Sequence, residues 1–201
     1  MSDHYFSQTP QSEHDIKEFE AVLRGKPYIF QTDAGVFSRT KVDKGSLLLI
    51  NNLLCEPGET VLDLGCGYGP IGIAAADMVG PEGHVYLTDV NQRAVELTKT
   101  NLRLNGIVNA TVLGGEGETV WPEVPLDWVV SNPPIRAGKK VVYGLMDEAY
   151  QRLAPGGRLM VVIRTKQGAA SLEKHLEDLF GSCETVDRGS GFRVFLCRKQ
   201  S

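Results

Sequence analysis

The sequence predicts an α/β fold: a doubly wound, mostly parallel seven-stranded sheet that ends in an antiparallel hairpin. Three observations predict it. From Thr60 onward, short apolar runs alternate with longer amphipathic ones, the pattern of a parallel sheet covered on both faces by helices. A glycine-rich turn, Gly65-Cys66-Gly67-Tyr68-Gly69, leads from the first of these strands straight into a helix, where such sheets bind ligands. Only about four residues, Arg188 to Gly191, separate the last two apolar runs. A crossover between parallel strands needs a dozen or more residues, so this pair must be antiparallel.

Thr60-Val61-Leu62-Asp63-Leu64 reads as the first strand and Ile71 to Met78 as the helix after it. His84 to Thr88 is the second strand, followed by a helix from about Gln92 to Leu104. There Ala94, Val95, Leu97, Thr98, Leu102 and Leu104 form a stripe near helical period, and Asn105-Gly106 ends it. Ala110 to Leu113 and Leu126 to Ser131 are the third and fourth strands. A helix from about Val141 to Leu153 stops at Pro155-Gly156-Gly157, ahead of a fifth strand from Arg158 to Ile163. Leu172 to Phe180 is helical, and the closing hairpin joins strands near 183–187 and 192–197. Residues 1–57 are expected to form an N-terminal cap packed on a single unit of residues 58–201. The cap is polar at first, then carries Tyr28-Ile29-Phe30, Gly35-Val36-Phe37 and a helix from Ser46 to Leu54.

At 201 residues and 42% hydrophobic, the chain suits one globular domain with a full-sized core. With 23% charged residues and dispersed Gly and Pro, disorder is not expected. No apolar run nears the ~20 residues of a membrane span, and the N-terminus lacks a basic start and an apolar stretch, so a cytoplasmic location is expected. Cys55, Cys66, Cys183 and Cys197 have no C-x-x-C spacing, which points away from metal sites and disulfide frameworks. A net charge of −4 argues against a general nucleic-acid coat. Yet residues 131–201 carry 12 Lys and Arg against 7 Asp and Glu, which is either a local basic face or uneven surface decoration.

The glycine turn has the spacing G-x-G-x-G, not the G-x-G-x-x-G of dinucleotide binders, and no Walker-type phosphate loop occurs. Asp63 stands just before the glycines. A carboxylate there repels a pyrophosphate but suits an ammonium or sulfonium charge. The second strand ends at Asp89, where an acid can accept both hydroxyls of a ribose. These features describe an adenosine-bearing, cationic, phosphate-free cofactor. S-adenosylmethionine matches it and NAD does not; the competing reading is a turn that only turns.

The fourth strand ends in Ser131-Asn132-Pro133-Pro134-Ile135, over the same switch point. Two prolines remove two N–H donors and leave carbonyls expected to point outward without internal partners. A planar amine needs acceptors for its hydrogens. Asn132 Oδ1 and the Pro133 carbonyl could take them, turning the nitrogen lone pair toward a methyl group. Without the cofactor loop, a rigid turn closing a buried strand would be the default.

These two motifs together resemble the small-domain class I methyltransferases, the RsmC-like family of 16S ribosomal RNA guanine-N2 methyltransferases. The likeness runs from about Phe37 to Lys199. It includes Phe37-Ser38, Asp43-Lys44-Gly45-Ser46 and Arg136-Ala137-Gly138-Lys139. It implies a Rossmann-like fold in which Asp63, Gly65 and Gly67 contact the methionine and ribose parts of S-adenosylmethionine, Asp89 the ribose hydroxyls, and Glu116 the adenine. Asn132 with Pro133 and Pro134 would orient the target amine, with Phe37, Ile135, Arg136 and Lys139 on the substrate. Ile135 departs from relatives with an aromatic there, which methylate adenine or protein glutamine by stacking on a flat target.

The resemblance implies methylation of guanine N2 in 16S ribosomal RNA, with the RNA or the small ribosomal subunit as partner and neither membrane nor metal involved. The alternatives are adenine N6 or protein glutamine N5 methylation, and a non-catalytic RNA-binding assembly factor. Phosphates would meet Arg136, Lys139 and Lys140, Arg39, Lys41 and Lys44, and Arg164 and Lys166. The family's ribosomal enzyme carries two such domains, so a homodimer would replace the missing half, or nothing does.

Overall fold

A computed structural model describes residues 14–36, 38, 40–115 and 120–200. A seven-stranded sheet forms its centre, in the order β5-β4-β3-β6-β7-β9-β8. The strands are β3 (Thr60–Leu64), β4 (His84–Asp89), β5 (Ala110–Gly114), β6 (Leu126–Ser131), β7 (Leu153–Arg164), β8 (Glu184–Gly189) and β9 (Phe192–Arg198). All neighbours pair in parallel except β9, which inserts between β7 and β8 and runs against both. The chain winds outward from β3 to β5, then returns to lay β6 on the other side of β3. The strand order therefore reverses between β3 and β6, and the C-terminal ends of these two strands frame the switch point.

Alternation along the strands sorts side chains onto two faces. Val61, Trp128, Val130, Met160 and Val162 join a core with α1 (Lys44–Asn52), α2 (Pro70–Val79) and α3 (Gln92–Leu104). Leu62, Leu64, Val129, Leu159 and Val161 join the opposite core with α4 (Lys139–Arg152) and α5 (Ala169–Phe180). Each fully buried side chain of this size contributes roughly 1.5–3 kcal/mol. Small residues let α2 lie close to the sheet: a Cβ on Gly72 would sit 2.3 Å from Leu87 and 3.1 Å from an oxygen of Asp63. Among the described residues no helix is long and apolar enough to cross a membrane.

Two elements differ from the sequence expectation. Within residues 1–57 a hairpin precedes the expected helix: β1 (Lys17–Leu23) pairs with β2 (Lys26–Thr32) around Arg24-Gly25. Both turn residues have positive φ, 51° and 82°, the type I′ geometry that matches strand twist. The signal was partial: Phe19, Ala21 and Leu23 recur at every second position, but Val22 breaks the polar set between them, and Tyr28 and Phe30 answer them across the turn. The hairpin residues Leu23, Tyr28 and Phe30 belong to the same core cluster as Val61 and Leu87. The fifth strand of the main sheet, β7, begins at Leu153 rather than Arg158, because Leu153 pairs with Leu126 before the register shifts and Pro155-Gly156 bulges out. A proline is tolerated there because a bulge needs no ladder donor.

Candidate active site

The turn after β3 is held by its neighbours on all sides. Gly65, Gly67 and Gly69 have φ of 76°, 60° and 95°, a left-handed region that side chains avoid. The Gly65 and Cys66 amides both donate to Thr88 O at 2.9 Å, which fixes the turn to the end of β4. The Gly67 amide donates to Asp89 Oδ2 at 2.9 Å, and the Gly69 amide to Cys66 O at 2.9 Å. From α3, Thr98 Oγ1 donates to Gly67 O at 2.8 Å and Asn101 Nδ2 to Tyr68 O at 2.8 Å. Gly69 then caps α2, with Pro70 in its first turn.

The two acids are buried at the ends of adjacent strands. Asp63 is fully buried; its Oδ2 accepts from the Gly72 amide at 2.8 Å, and its Oδ1 has no partner among the described residues. Burial pushes its carboxyl up to about 7, with the Asp89 charge adding and the Gly72 bond opposing. Burial also raises Asp89, although its carboxylate accepts from the Gly67 and Asn91 amides. Two desolvated carboxylates, one with an unsatisfied oxygen, suit a ligand that brings positive charge. The space in front of Gly65 is open, since a Cβ there would meet nothing within 4 Å. The chemistry of these donors fits the ammonium and sulfonium of S-adenosylmethionine.

Asn132 follows β6 and meets the N-terminus of α1. Asp43 caps that helix, accepting from the Gly45 amide at 2.8 Å and the Ser46 amide at 3.2 Å. Asn132 Nδ2 donates to Ser46 Oγ at 3.0 Å and approaches both Asp43 oxygens at 3.4–3.5 Å. These acceptors assign the amide, and they leave Asn132 Oδ1 to serve as an acceptor. Next to it, Ser131 Oγ donates to Leu64 O at 2.7 Å and ties β6 to β3 across the switch point.

The prolines require a correction. Their carbonyls are not without internal partners: Pro133 O accepts from the Ile135 amide at 2.9 Å and Pro134 O from the Ala137 amide at 2.9 Å. Pro134, at φ −74° and ψ 79°, is the centre of an inverse γ-turn, which folds the chain back and starts a 3-10 turn over Ile135–Ala137. A carbonyl has two lone pairs, so the one at Pro133 keeps a second for an amine.

Ile135 is half-buried against the α4–α5 core. It also lines a cavity of about 90 Å³ together with Lys139, Val142, Tyr143, Ile163 and Leu172. Arg136, Lys139, Lys140, Arg164 and Lys166 are exposed at the C-terminal edge of the sheet, and Lys41 and Lys44 are exposed around the start of α1. Among the described residues none of these is ion-paired with a carboxylate. Lys139 lies 4.9 Å over the Tyr143 ring and Arg164 lies 4.7 Å over Phe192. Phe37, Arg39 and Glu116 lie outside the described residues. The preceding segment is anchored beside Asp89, where Asn91 Nδ2 donates to Gly35 O at 3.1 Å and Arg93 to Ala34 O at 2.5 Å.

Sequence reasoning gave no role in the site to Asp43, Ser46, Thr98 or Asn101, although Asp43 to Ser46 carried part of the resemblance and Thr98 part of the helical stripe. Asp43 was legible as a helix cap, and a Thr and an Asn inside the buried stripe of α3 were the signal for the other two.

A switch-point glycine loop, two buried acids and an Asn-Pro-Pro turn on a sheet of this order define a Rossmann-like, class I methyltransferase domain. The model of the methyltransferase small domain matches residues 27–196, and the chain belongs to that family. The uncharacterized protein YbxB of Bacillus subtilis (strain 168) is 38% identical over 203 residues, covering 99% of this chain and 100% of that protein. Ribosomal RNA small subunit methyltransferase C of Pseudomonas aeruginosa (strain LESB58) is 36% identical over 170 residues, 82% of this chain and 49% of that protein. The structure of the T. thermophilus 16S rRNA N2 G1207 methyltransferase (RsmC) in complex with AdoMet and guanosine superposes with a TM-score of 0.83 at 29% identity. It covers 95% of this chain and 52% of that one. The chain thus spans about half the length of the ribosomal methyltransferases it matches and the whole of YbxB.

Proposed function

We propose that the protein transfers a methyl group from S-adenosylmethionine to an exocyclic amine, guanine N2 of 16S ribosomal RNA. The orientation of Asn132 carries the reading: its donors are engaged by Ser46 and Asp43, so Oδ1 is available to an amine at the end of β6. In the site, Asp63, Gly65 and Gly67 would hold the methionine and ribose parts of the cofactor, Asp89 its ribose hydroxyls, and Glu116 its adenine. The bound cofactor supplies an electrophilic methyl on a sulfonium. Asn132 Oδ1 and the second lone pair of Pro133 O accept the two amine hydrogens, which aims the nitrogen lone pair at that methyl. Pro134 fixes the carbonyl direction, and after transfer the amine proton leaves to water.

Phe37, Ile135, Arg136 and Lys139 face the RNA in this reading, with Arg164, Lys166 and Lys44 gripping phosphates. Residues 1–57 act as a cap on the 58–201 unit. The relatives named for ribosomal RNA methylation, the guanosine in the T. thermophilus complex and the absence of an aromatic at position 135 favour guanine over adenine or a protein amide. A homodimer belongs to this reading, and light scattering of the purified protein tests it.

Purified protein, labelled S-adenosylmethionine and undermethylated small-subunit RNA should place label on guanine N2. Label on adenine or on a protein glutamine would replace the substrate, and cofactor binding without any transfer would favour a non-catalytic assembly factor.

A further inference from the structure

Asn101 on α3 and Asn105 at its C-cap, one turn apart, meet the edge of β2 as a neighbouring strand would. Asn105 Oδ1 accepts from the Ile29 amide at 2.9 Å, and its Nδ2 donates to Ile29 O at 2.8 Å. Asn101 Oδ1 accepts from the Gln31 amide at 2.7 Å, and its Nδ2 donates to Gln31 O at 2.9 Å. The match is geometric: four helical residues rise about 6 Å and two strand residues about 7 Å. Asn101 does one thing more. Its other amide hydrogen goes to Tyr68 O in the glycine loop, at 2.8 Å, and the residue is fully buried. The Tyr68 ring independently meets the hairpin edge-on, with centroids 5.6 Å from Phe30 and 6.1 Å from Phe19. Main chain and ring of the loop are both tied to β1–β2.

We propose that Asn101 is a positioning residue for the cofactor, coupling the docked N-terminal hairpin to the shape of the Gly67–Gly69 turn. The inference rests on the S-adenosylmethionine reading. Glycines at φ of 60° and 95° have many other conformations within reach. A carbonyl held by Asn101 selects one of them before the ligand arrives, so the ordering cost is met in folding instead of in binding. Loss of the tether should therefore weaken binding without altering the chemical step.

Asn105 supplies the control, because it holds the hairpin at Ile29 without touching the loop. In calorimetric titration with S-adenosylmethionine, Asn101→Ala should raise Kd about tenfold, while Asn105→Ala stays within twofold of the wild type. At saturating cofactor, turnover of Asn101→Ala should stay within twofold. Amide exchange at Gly67 and Gly69 in cofactor-free protein should accelerate in Asn101→Ala alone. Should Asn101→Ala not fold, Phe19→Leu, which trims the ring contact with Tyr68 at a half-buried position, should raise Kd about threefold. Equal losses in the two asparagine variants, or unchanged loop exchange, would overturn the positioning role. A wild type that binds no S-adenosylmethionine yet shows the exchange difference would instead overturn the cofactor reading.

Discussion

The Asn132 amide donates to Ser46 Oγ and leans on Asp43, so its free oxygen is set by groups outside the strand that bears it. Asn132→Ala removes the acceptor and should cut kcat by ~100-fold or more, on the scale of a lost preorganised hydrogen-bonding group, while the Kd for S-adenosylmethionine changes less than threefold. Equal loss of both would refute the orienting role. Asp63 carries a pH signature. Its folded pKa, about 7, lies above its unfolded value near 3.8, so the native state binds more protons between them. Its contribution to stability is present below the unfolded pKa and is lost as pH rises through 7. The Tm of the cofactor-free protein should thus decline from pH 5 to 8, less so in Asp63→Asn. A bound cation favours the carboxylate, so cofactor binding should release a proton below pH 7, read as a buffer-dependent enthalpy in calorimetry.

Elements explain why these residues stay put. α2 lies so close to β3 and β4 that Gly72 has no room for a methyl, and among the described residues its amide is the one hydrogen bond to the Asp63 carboxylate. Gly72→Ala should cost about 1–3 kcal/mol by overpacking against Leu87, measured by denaturant titration. Cofactor affinity should fall in parallel, since the same shift moves Asp63. α1 acts differently, through its cap. Asp43 satisfies the first amides of that helix and also faces Asn132. Asp43→Asn keeps an N-cap of similar worth but removes the charge beside Asn132 Nδ2. Stability should hold within about 0.5 kcal/mol. Turnover should fall, and an unchanged turnover would mean that Ser46 alone orients the amide.

At the scale of the molecule, charge is segregated although the total is slightly acidic. Arg136, Lys139, Lys140, Arg164 and Lys166 lie at the C-terminal edge of the sheet, the edge that carries Asp89 and Asn132. If they meet phosphates, replacing Arg136, Lys139 and Lys140 with Ala should weaken RNA binding across sequences. It should also lower the salt slope of log K by about 2–3, since each phosphate contact contributes ~0.7–0.9. An unchanged slope would assign these residues to a solvated surface.

The strand and helix pattern from Thr60 to Cys197 was legible because its causes are local: apolar period, a glycine turn and Pro-Gly breaks. So was the cofactor loop, whose glycines, Asp63 and Asp89 are spaced along one βαβ unit. The N-terminal hairpin escaped, though Arg24-Gly25 marked its turn, because the polar start of the chain hid the alternation of Phe19, Ala21 and Leu23. By itself, then, the sequence determined the fold class, the cofactor loop and the place of the Asn-Pro-Pro turn. Tertiary structure alone decided where β9 inserts, which α3 side chains hold the glycine loop, and which way the Asn132 amide faces. Those outcomes depend on contacts between residues far apart in the chain, such as Asn132 with Ser46 and Asn101 with Tyr68, and no local period encodes them.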